Sequence, residues 1–416
     1  MNATKSFNIS KQLVMDAYKV VKANAGSAGI DEMTIKDFEK DLKDNLYKIW
    51  NRMSSGSYFP PPVKATEIPK KSGGIRLLGI PTVPDRVAQT VVKMMFEPIV
   101  EPIFLADSYG YRPGKSALDA VEITRKRCWS HDWVLEFDIK GMFDNIDHEL
   151  LMRAVRKHTD CKWTILYIER WLKAPMQMPN GTQVERCKGT PQGGVISPVL
   201  SNLFMHYVFD IWITREFPDC PWCRYADDGL VHCQTEQQAL RIRDSLKCRL
   251  EECKLELHPE KTRIVYCKDA NRKGDYPNTK MDFLGYTFRP RLAKNSKTNA
   301  IFVGFTAAVS AKALKAMRKK TRQSNLRNRS DLEIDDISRM FNPILRGWMM
   351  YYGKYNPTGM IPVLEHFNCT IRKWAMRKYK RFKECKTKAG RFIEKLAKER
   401  PRLFIHWQKG IFGMTA

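Results

Sequence analysis

Apolar residues recur at helical spacing near the start of the chain, where Leu13, Val14, Ala17, Val20 and Val21 would line one helix face. The stretch Asn24-Ala25-Gly26-Ser27-Ala28-Gly29-Ile30-Asp31 breaks that period, so residues 10–50 read as two amphipathic helices around a glycine-rich turn. Pro60-Pro61-Pro62 is an extended connector, because proline locks φ and lacks a backbone donor. Strand-like pieces flank Ser72-Gly73-Gly74, which reads as a hairpin tip bearing Lys70, Lys71 and Arg76. A long apolar helix follows over 83–97.

The β-branched and aromatic run at 133–139 predicts a strand that ends in an acidic group. Asp147 then caps a helix whose Leu150, Leu151, Ala154 and Val155 form one apolar face. A second long helix is expected over 198–216. Residues 223–233 read as a hairpin with Asp227-Asp228-Gly229 at its tip. Thr235-Glu236-Gln237-Gln238 resembles a capping box that starts a helix reaching Cys253. Short strands are expected at 254–257 and 263–266. Strand, helix, hairpin, helix, strand is the order of a split βαβ sheet with helices on one face, within an α+β fold. After Gly304 the pattern turns to helices only, so a boundary is expected near 300–310.

Charge sharpens this picture. The 416 residues hold 72 Lys and Arg against 45 Asp and Glu, a net of +27. From Ser310 onward there are 26 basic and 8 acidic residues, so a quarter of the chain carries two thirds of the excess. Such clustering calls for a polyanionic partner. With 43% hydrophobic residues the chain buries large cores, which excludes a disordered chain or a disulfide-stapled scaffold. Residues 1–22 show no signal peptide, and Lys93, Glu97 and Glu101 interrupt the most apolar stretch, so no membrane partner is expected. Eleven cysteines, an odd and sparse set, suit free thiols in a reducing cytosol. Cys220-Pro221-Trp222-Cys223 lacks a second pair and reads as buried thiols ahead of a metal site.

Asp138 closes one apolar strand, and Asp227 and Asp228 lie at a hairpin tip far along the chain. If those strands are neighbours, three carboxylates converge at one sheet edge, where like charges push a pKa upward. Two divalent cations relieve that repulsion, and a pair of Mg²⁺ ions serves phosphoryl transfer. Oxygen-only ligands suit Mg²⁺, or Mn²⁺ in its place, rather than Zn²⁺. Beyond 370, Arg372-Lys373-Trp374, Arg377-Lys378-Tyr379-Lys380-Arg381-Phe382-Lys383 and Arg391-Phe392 interleave cations with aromatics. That pattern fits phosphate neutralisation with base stacking on RNA.

Three motifs, in order and in register, resemble the palm of reverse transcriptases. They are Phe137-Asp138-Ile139-Lys140-Gly141-Met142-Phe143-Asp144, Gly189-Thr190-Pro191-Gln192-Gly193-Gly194 and Tyr225-Ala226-Asp227-Asp228. The forms Pro-Gln-Gly-Gly-x-x-Ser-Pro and Tyr-Ala-Asp-Asp most resemble proteins encoded by bacterial group II introns. Ala28-Gly29-Ile30-Asp31 resembles that family's N-terminal extension. Ile68-Pro69-Lys70 through Pro81-Thr82-Val83-Pro84-Asp85-Arg86 resembles its fingers, and Ser108-Tyr109-Gly110-Tyr111-Arg112-Pro113 the motif that follows. Phe283-Leu284-Gly285-Tyr286 is similar to its primer grip, and Leu345-Arg346-Gly347-Trp348 with Tyr351-Tyr352 to its thumb, or maturase X domain. Many such proteins end in a Cys-paired HNH endonuclease, which this sequence lacks, so DNA cleavage is not expected.

The resemblance implies a right-hand polymerase: N-terminal extension 1–60, fingers 61–130, ferredoxin-like palm 131–304 with inserted fingers elements, helical thumb 305–375 and a basic DNA-binding-like segment 376–416. It implies an RNA-directed DNA polymerase that extends a DNA primer on intron RNA with deoxynucleotides and two Mg²⁺ ions, assists splicing and mobility, and works in the bacterial cytosol or nucleoid. Asp138, Asp227, Asp228 and the Ile139 carbonyl would hold metal, and Lys261, in Pro259-Glu260-Lys261-Thr262, would protonate pyrophosphate. Lys70 and Arg76 would hold the triphosphate, Phe143 would be the steric gate against a 2′-hydroxyl, and Gln192 and Gly193 would face the templating pair. Phe283, Leu284 and Gly285 would grip the primer. Arg112, Arg346, Trp348, Arg372, Lys373, Arg377, Lys378, Lys380 and Arg381 would contact nucleic acid. Alternatives are a group II-like transcriptase recruited to defence or repair, a mainly RNA-binding splicing cofactor, or a cyclase-type palm acting on free nucleotides. The fingers hairpin and basic tail weigh against the cyclase. Oligomeric state stays open.

Overall fold

The computed structural model describes residues 5–69, 74–294 and 298–414. It divides into two compact units, one of Met1–Ala120 with Leu135–Ile264, the other of Val121–Val134 with Val265–Ala416. The cut thus falls ahead of the change expected near 300–310.

In the first unit Ser10 caps helix α1 (Lys11–Asn24), its hydroxyl accepting from Leu13 N at 3.1 Å. Val14, Ala17, Tyr18 and Val21 form the buried face. The second expected helix is two, α2 (Ile35–Lys40) and α3 (Leu42–Ser54), because Asp41 leaves helical geometry at φ −123° and ψ 45°. Gly29 lets the glycine-rich turn lie on the chain just ahead of the helix that begins at Val83, where a Cβ would stand 2.6 Å from Thr82 Cα. Strands β1 (Val63–Pro69) and β2 (Ile75–Ile80) pair antiparallel from Lys64↔Ile80 to Pro69↔Ile75. Residues 70–73 of the expected tip, Lys70 among them, lie outside the described residues. Thr82 caps the apolar helix α4 (Val83–Val100).

The chain continues through α5 (Ala117–Ser130), β3 (Trp133–Asp138), α6 (Met142–Asn145), α7 (His148–His158) and α8 (Lys162–Lys173). Asp147 caps α7 as expected, its carboxylate accepting from Leu150 N at 2.9 Å. Short strands β4 (Met176–Gln177) and β5 (Gln183–Val184) extend the first sheet, whose order is β2-β1-β4-β5. The second long helix is α9 (Ser197–Met205), a π turn at His206–Asp210, and α10 (Ile211–Glu216). Then come β6 (Trp222–Tyr225), β7 (Asp228–Cys233), α11 (Glu236–Glu252), capped by Thr235, and β8 (Arg263–Tyr266). These strands form a sheet of order β6-β7-β3-β8, so the first strand in sequence lies between the third and fourth. Two expectations fail locally. Residues 254–257 form no strand, since Lys254 turns left-handed at φ 59° and only Leu257 bridges to Ile139. Register Tyr225↔Asp228 makes Ala226-Asp227 the hairpin tip and Asp228 the first residue of β7.

The second unit holds the sheet β11-β10-β9, from β9 (Met281–Phe283), β10 (Tyr286–Lys294) and β11 (Ile301–Val309). Helices α12 (Ala311–Gln323), α13 (Ile334–Tyr352), α14 (Ile361–Lys378) and α15 (Lys386–Glu399) follow. Phe341, Phe367, Ile371, Trp374, Phe382, Ile393, Phe404 and Trp407 share one core, so the basic C-terminal stretch is packed into the helical unit. Buried Asn368 ties that stretch down. Its Nδ2 donates to the carbonyls of Ile411 (3.2 Å) and Gly413 (3.0 Å), and its Oδ1 accepts from His406 Nε2 (2.7 Å) and Trp407 Nε1 (3.0 Å). Burial pushes His406 down to about 3, so the ring is neutral. Among the described residues, no helix is long and apolar enough to cross a membrane.

Candidate active site

Strand β3 carries four apolar residues into the sheet and ends on Asp138, which is buried. Its neighbour β7 begins on Asp228 and comes close because Gly229 has no side chain, where a Cβ would collide with the Phe137 ring. Asp138, Asp227 and Asp228 therefore meet at one edge, as expected. Burial, then the charge of Asp138, raises the Asp227 pKa. Asp228 is pushed up to about 7 by the protein crowding it, then by Asp227 and Asp138. Lys261 Nζ donates to Asp138 Oδ2 at 2.7 Å. Ile139 is fixed from both sides, since His258 N donates to the Asp138 carbonyl at 2.8 Å and Lys140 N to the Glu256 carbonyl at 2.9 Å.

The donor set is oxygen only, its acids repel one another, and a cation already faces one of them. Those features fit a divalent cation better than a structural role. Among the described residues, no three His, Cys, Asp or Glu side chains stand as a preformed metal cage.

The described residues expected to face a nucleotide gather around the same edge. Phe143 lies in the short helix α6, where its carbonyl accepts from Thr190 N at 2.7 Å. Gly189 is confined there too, since a Cβ would stand 2.8 Å from the Phe143 carbonyl oxygen. The Phe143 ring meets Tyr111 edge-on at 6.3 Å, and Tyr111 lies 6.5 Å from Tyr225. Gln192 donates to both oxygens of Asp144 (3.1 and 3.2 Å), and its carbonyl accepts from Gly79 N of β2 at 2.7 Å. A Cβ on Gly193, at φ 118°, would stand 2.5 Å from the Gly79 carbonyl oxygen. Arg76, exposed on β2, acts electrostatically on Asp227 and Tyr111.

In the second unit Leu284 and Gly285 form the two-residue turn between β9 and β10, both left-handed at φ 49° and 82°. Tyr351 Oη donates to the Leu284 carbonyl at 2.9 Å, and a Cβ on Gly285 would lie 3.0 Å from the Tyr352 ring.

The nucleic-acid set needs correction. The Arg112 guanidinium is buried, bonded to the Glu101 carboxylate and to the carbonyls of Leu105 and Ser108, so it holds its own loop. Lys378 is likewise spent on the carbonyls of Ser330 and Leu332 and on Glu333. Trp374 and Phe382 are buried and Trp348 packs on the same core, which leaves them little ring face for bases. Arg346, Lys373, Arg377, Lys380 and Arg381 are exposed and Arg372 is half-buried. Cys220 and Cys223 are both buried, as thiols.

Sequence reasoning missed the buried groups behind the site: Asp85 and Gln89 on α4, Arg224 on β6, and Asp210 and Asn202 on the long helix. Gln89 Oε1 accepts from Val195 N at 2.7 Å, and its Nε2 donates to Asp85 Oδ2 at 2.9 Å. Polar residues inside otherwise apolar runs were the available signal.

A family profile described as reverse transcriptase (RNA-dependent DNA polymerase) matches residues 68–288. A second, for the group II intron maturase-specific domain, matches residues 314–391. The group II intron-encoded protein LtrA of Lactococcus lactis subsp. cremoris is 28% identical over 85% of this chain and 71% of its own length. Protein YkfC of Escherichia coli is 31% identical over 59% of this chain and 74% of its own. A putative COX1/OXI3 intron 1 protein of Saccharomyces cerevisiae is 26% identical over 60% of this chain and 29% of its own. The chain belongs to the group II intron family of reverse transcriptases, RNA-directed DNA polymerases that carry a maturase domain.

Proposed function

We propose that the chain extends a DNA primer on its intron RNA at the edge formed by Asp138, Asp227 and Asp228. The convergence of these acids beside Lys261, from segments far apart in sequence, is the observation that carries the reading. Asp138, Asp227 and the Ile139 carbonyl would hold Mg²⁺ or Mn²⁺, with Asp228 toward the primer end. Bound there, such ions supply Lewis-acid activation of the primer hydroxyl and stabilise the leaving oxygen.

The protein's own groups do the rest. Arg76, with Lys70, neutralises the triphosphate by charge-assisted bonds. Phe143, held by the Thr190 and Tyr111 contacts, presents a ring where a 2′-hydroxyl would clash. The Gln192–Gly193 backbone, locked to β2, carries the floor for the templating pair. Lys261, already at the acids, is placed to give a proton to pyrophosphate. Residues 1–60, 61–130, 131–304 and 305–375 serve as extension, fingers, ferredoxin-like palm and thumb, and the exposed cations from Arg346 to Arg381 track phosphates of RNA or target DNA.

The test is magnesium-dependent extension on an RNA template by Asp227→Ala. Extension is expected to vanish while RNA binding persists; wild-type extension would overturn the assignment.

A further inference from the structure

Arg224 directly precedes the Tyr225-Ala226-Asp227-Asp228 turn, and its side chain and that of Asp210 are completely buried. Its fork is fully used. Nε and Nη2 donate to the two Asp210 oxygens at 2.7 and 2.6 Å, and Nη2 also donates to Ser108 Oγ at 2.9 Å. Nη1 donates to Asn202 Oδ1 at 3.2 Å and to the Ala226 carbonyl at 3.1 Å. That last bond matters most, because the Ala226 carbonyl belongs to the peptide from which Asp227 projects. Ala226 is left-handed at φ 58°, a conformation costly for a residue with a Cβ and kept only when its surroundings over-determine it.

The other partners are themselves held. Asn202 Nδ2 donates to the Gly110 carbonyl at 2.7 Å, and a Cβ on Gly110 would collide with Ala226 N. The π turn at His206–Asp210 adds a residue to the helical turn, which rotates Asp210 back toward the face that carries Asn202. Both thereby reach one guanidinium.

We propose that Arg224 is a positioning residue for nucleotidyl transfer: it fixes the Ala226 peptide and so the aim of Asp227, with Asp210, Asn202 and Ser108 holding its fork. The inference rests on the reading of Asp227 as a metal-holding acid.

A merely structural ion pair would be dispensable once both charges are removed together, since apolar replacement of a buried pair often leaves stability intact. The experiment is therefore Arg224→Met with Asp210→Leu in the full chain, beside Arg224→Lys and Asp227→Ala, in magnesium-dependent extension on RNA. The double variant is expected to fold with a lowered melting point, since the Ala226 carbonyl and Asn202 Oδ1 lose their donor, and to bind RNA normally, with kcat about 100-fold lower and the deoxynucleotide KM within about threefold, as for a misaimed catalytic group. Arg224→Lys keeps Asp210 paired but cannot span it and the Ala226 carbonyl at once, and is expected to lose about tenfold in kcat. Wild-type kcat in a folded double variant overturns the proposal. Should the double variant fail to fold, wild-type kcat in Arg224→Lys overturns it instead. Wild-type extension by Asp227→Ala would overturn the site reading itself, which separates the two failures.

Discussion

Replacing Asp228 by asparagine should stabilise the metal-free protein. Its carboxyl is pushed up from 3.8 to about 7, so the folded chain keeps a proton that the unfolded chain has already released. Folding stability therefore falls as pH rises through the window from about 4 to about 7, and the full penalty stands above it. Three pKa units correspond to an upper bound of about 4 kcal/mol. The side chain is open to solvent, however, so the crowding gives the sign and the exposure governs the size. Solvent screening leaves about 1–2 kcal/mol.

In chelator at pH 7.5, Asp228→Asn should melt about 2–8 °C above wild type, at about 2–4 °C per kcal/mol for a domain of this size. At pH 5 the wild-type carboxyl is protonated in more of the folded than of the unfolded molecules, so the gap should be narrower than at pH 7.5. Added Mg²⁺ should raise the wild-type midpoint more than the variant's, because the variant has lost a negative charge beside the proposed metal site. Thermal melts by circular dichroism at the two pH values decide the matter. A variant that melts level with or below wild type at pH 7.5, or a gap that is constant with pH, refutes the electrostatic reasoning.

Gln89→Leu should leave Val195 N and Asp85 Oδ2 without partners, at about 1–3 kcal/mol each. Urea unfolding should show that loss, and extension kinetics should show a raised deoxynucleotide KM as the Gln192–Gly193 segment loosens; an unchanged KM would mean that segment does not lean on α4. Asn368→Ala should cost about 3 kcal/mol, through four buried bonds, and expose the segment after residue 400 to protease first. Cleavage beginning elsewhere would show that Asn368 does not anchor it.

Elements with local signals were readable from sequence. Asp147 and Thr235 announce the starts of α7 and α11 because a cap needs only its own first turn. The break at Asp41 has no such signal, as neither Gly nor Pro stands there. At 254–257 the alternating Leu255 and Leu257 look like a strand, but Lys254 spends its backbone closing α11. The C-terminal aromatics misled for another reason. Phe367, Ile371, Trp374 and Ala375 stand at helical spacing and so belong to a buried stripe, yet the cations between them draw the eye to nucleic acid.

The acids of the site were legible because motif and sheet order agree on them; what holds them was not. Three carboxylates at one edge repel, so their placement must be imposed by bonds stronger than the repulsion. Those bonds run largely to backbone oxygens: Arg224 to the Ala226 carbonyl, His258 N to that of Asp138, Gly79 N to that of Gln192. A carbonyl is the same in every residue, so no pattern of side chains can mark which one is the acceptor. The donors leave only a faint trace, a buried polar residue such as Arg224 or Asp210 in an apolar stretch. Such residues cost stability unless fully paired, and full pairing is what the Arg224 fork has. Their presence beside an acidic turn is therefore a physical argument that the turn must be aimed, since an apolar pair would fill the same space without directing the Ala226 carbonyl.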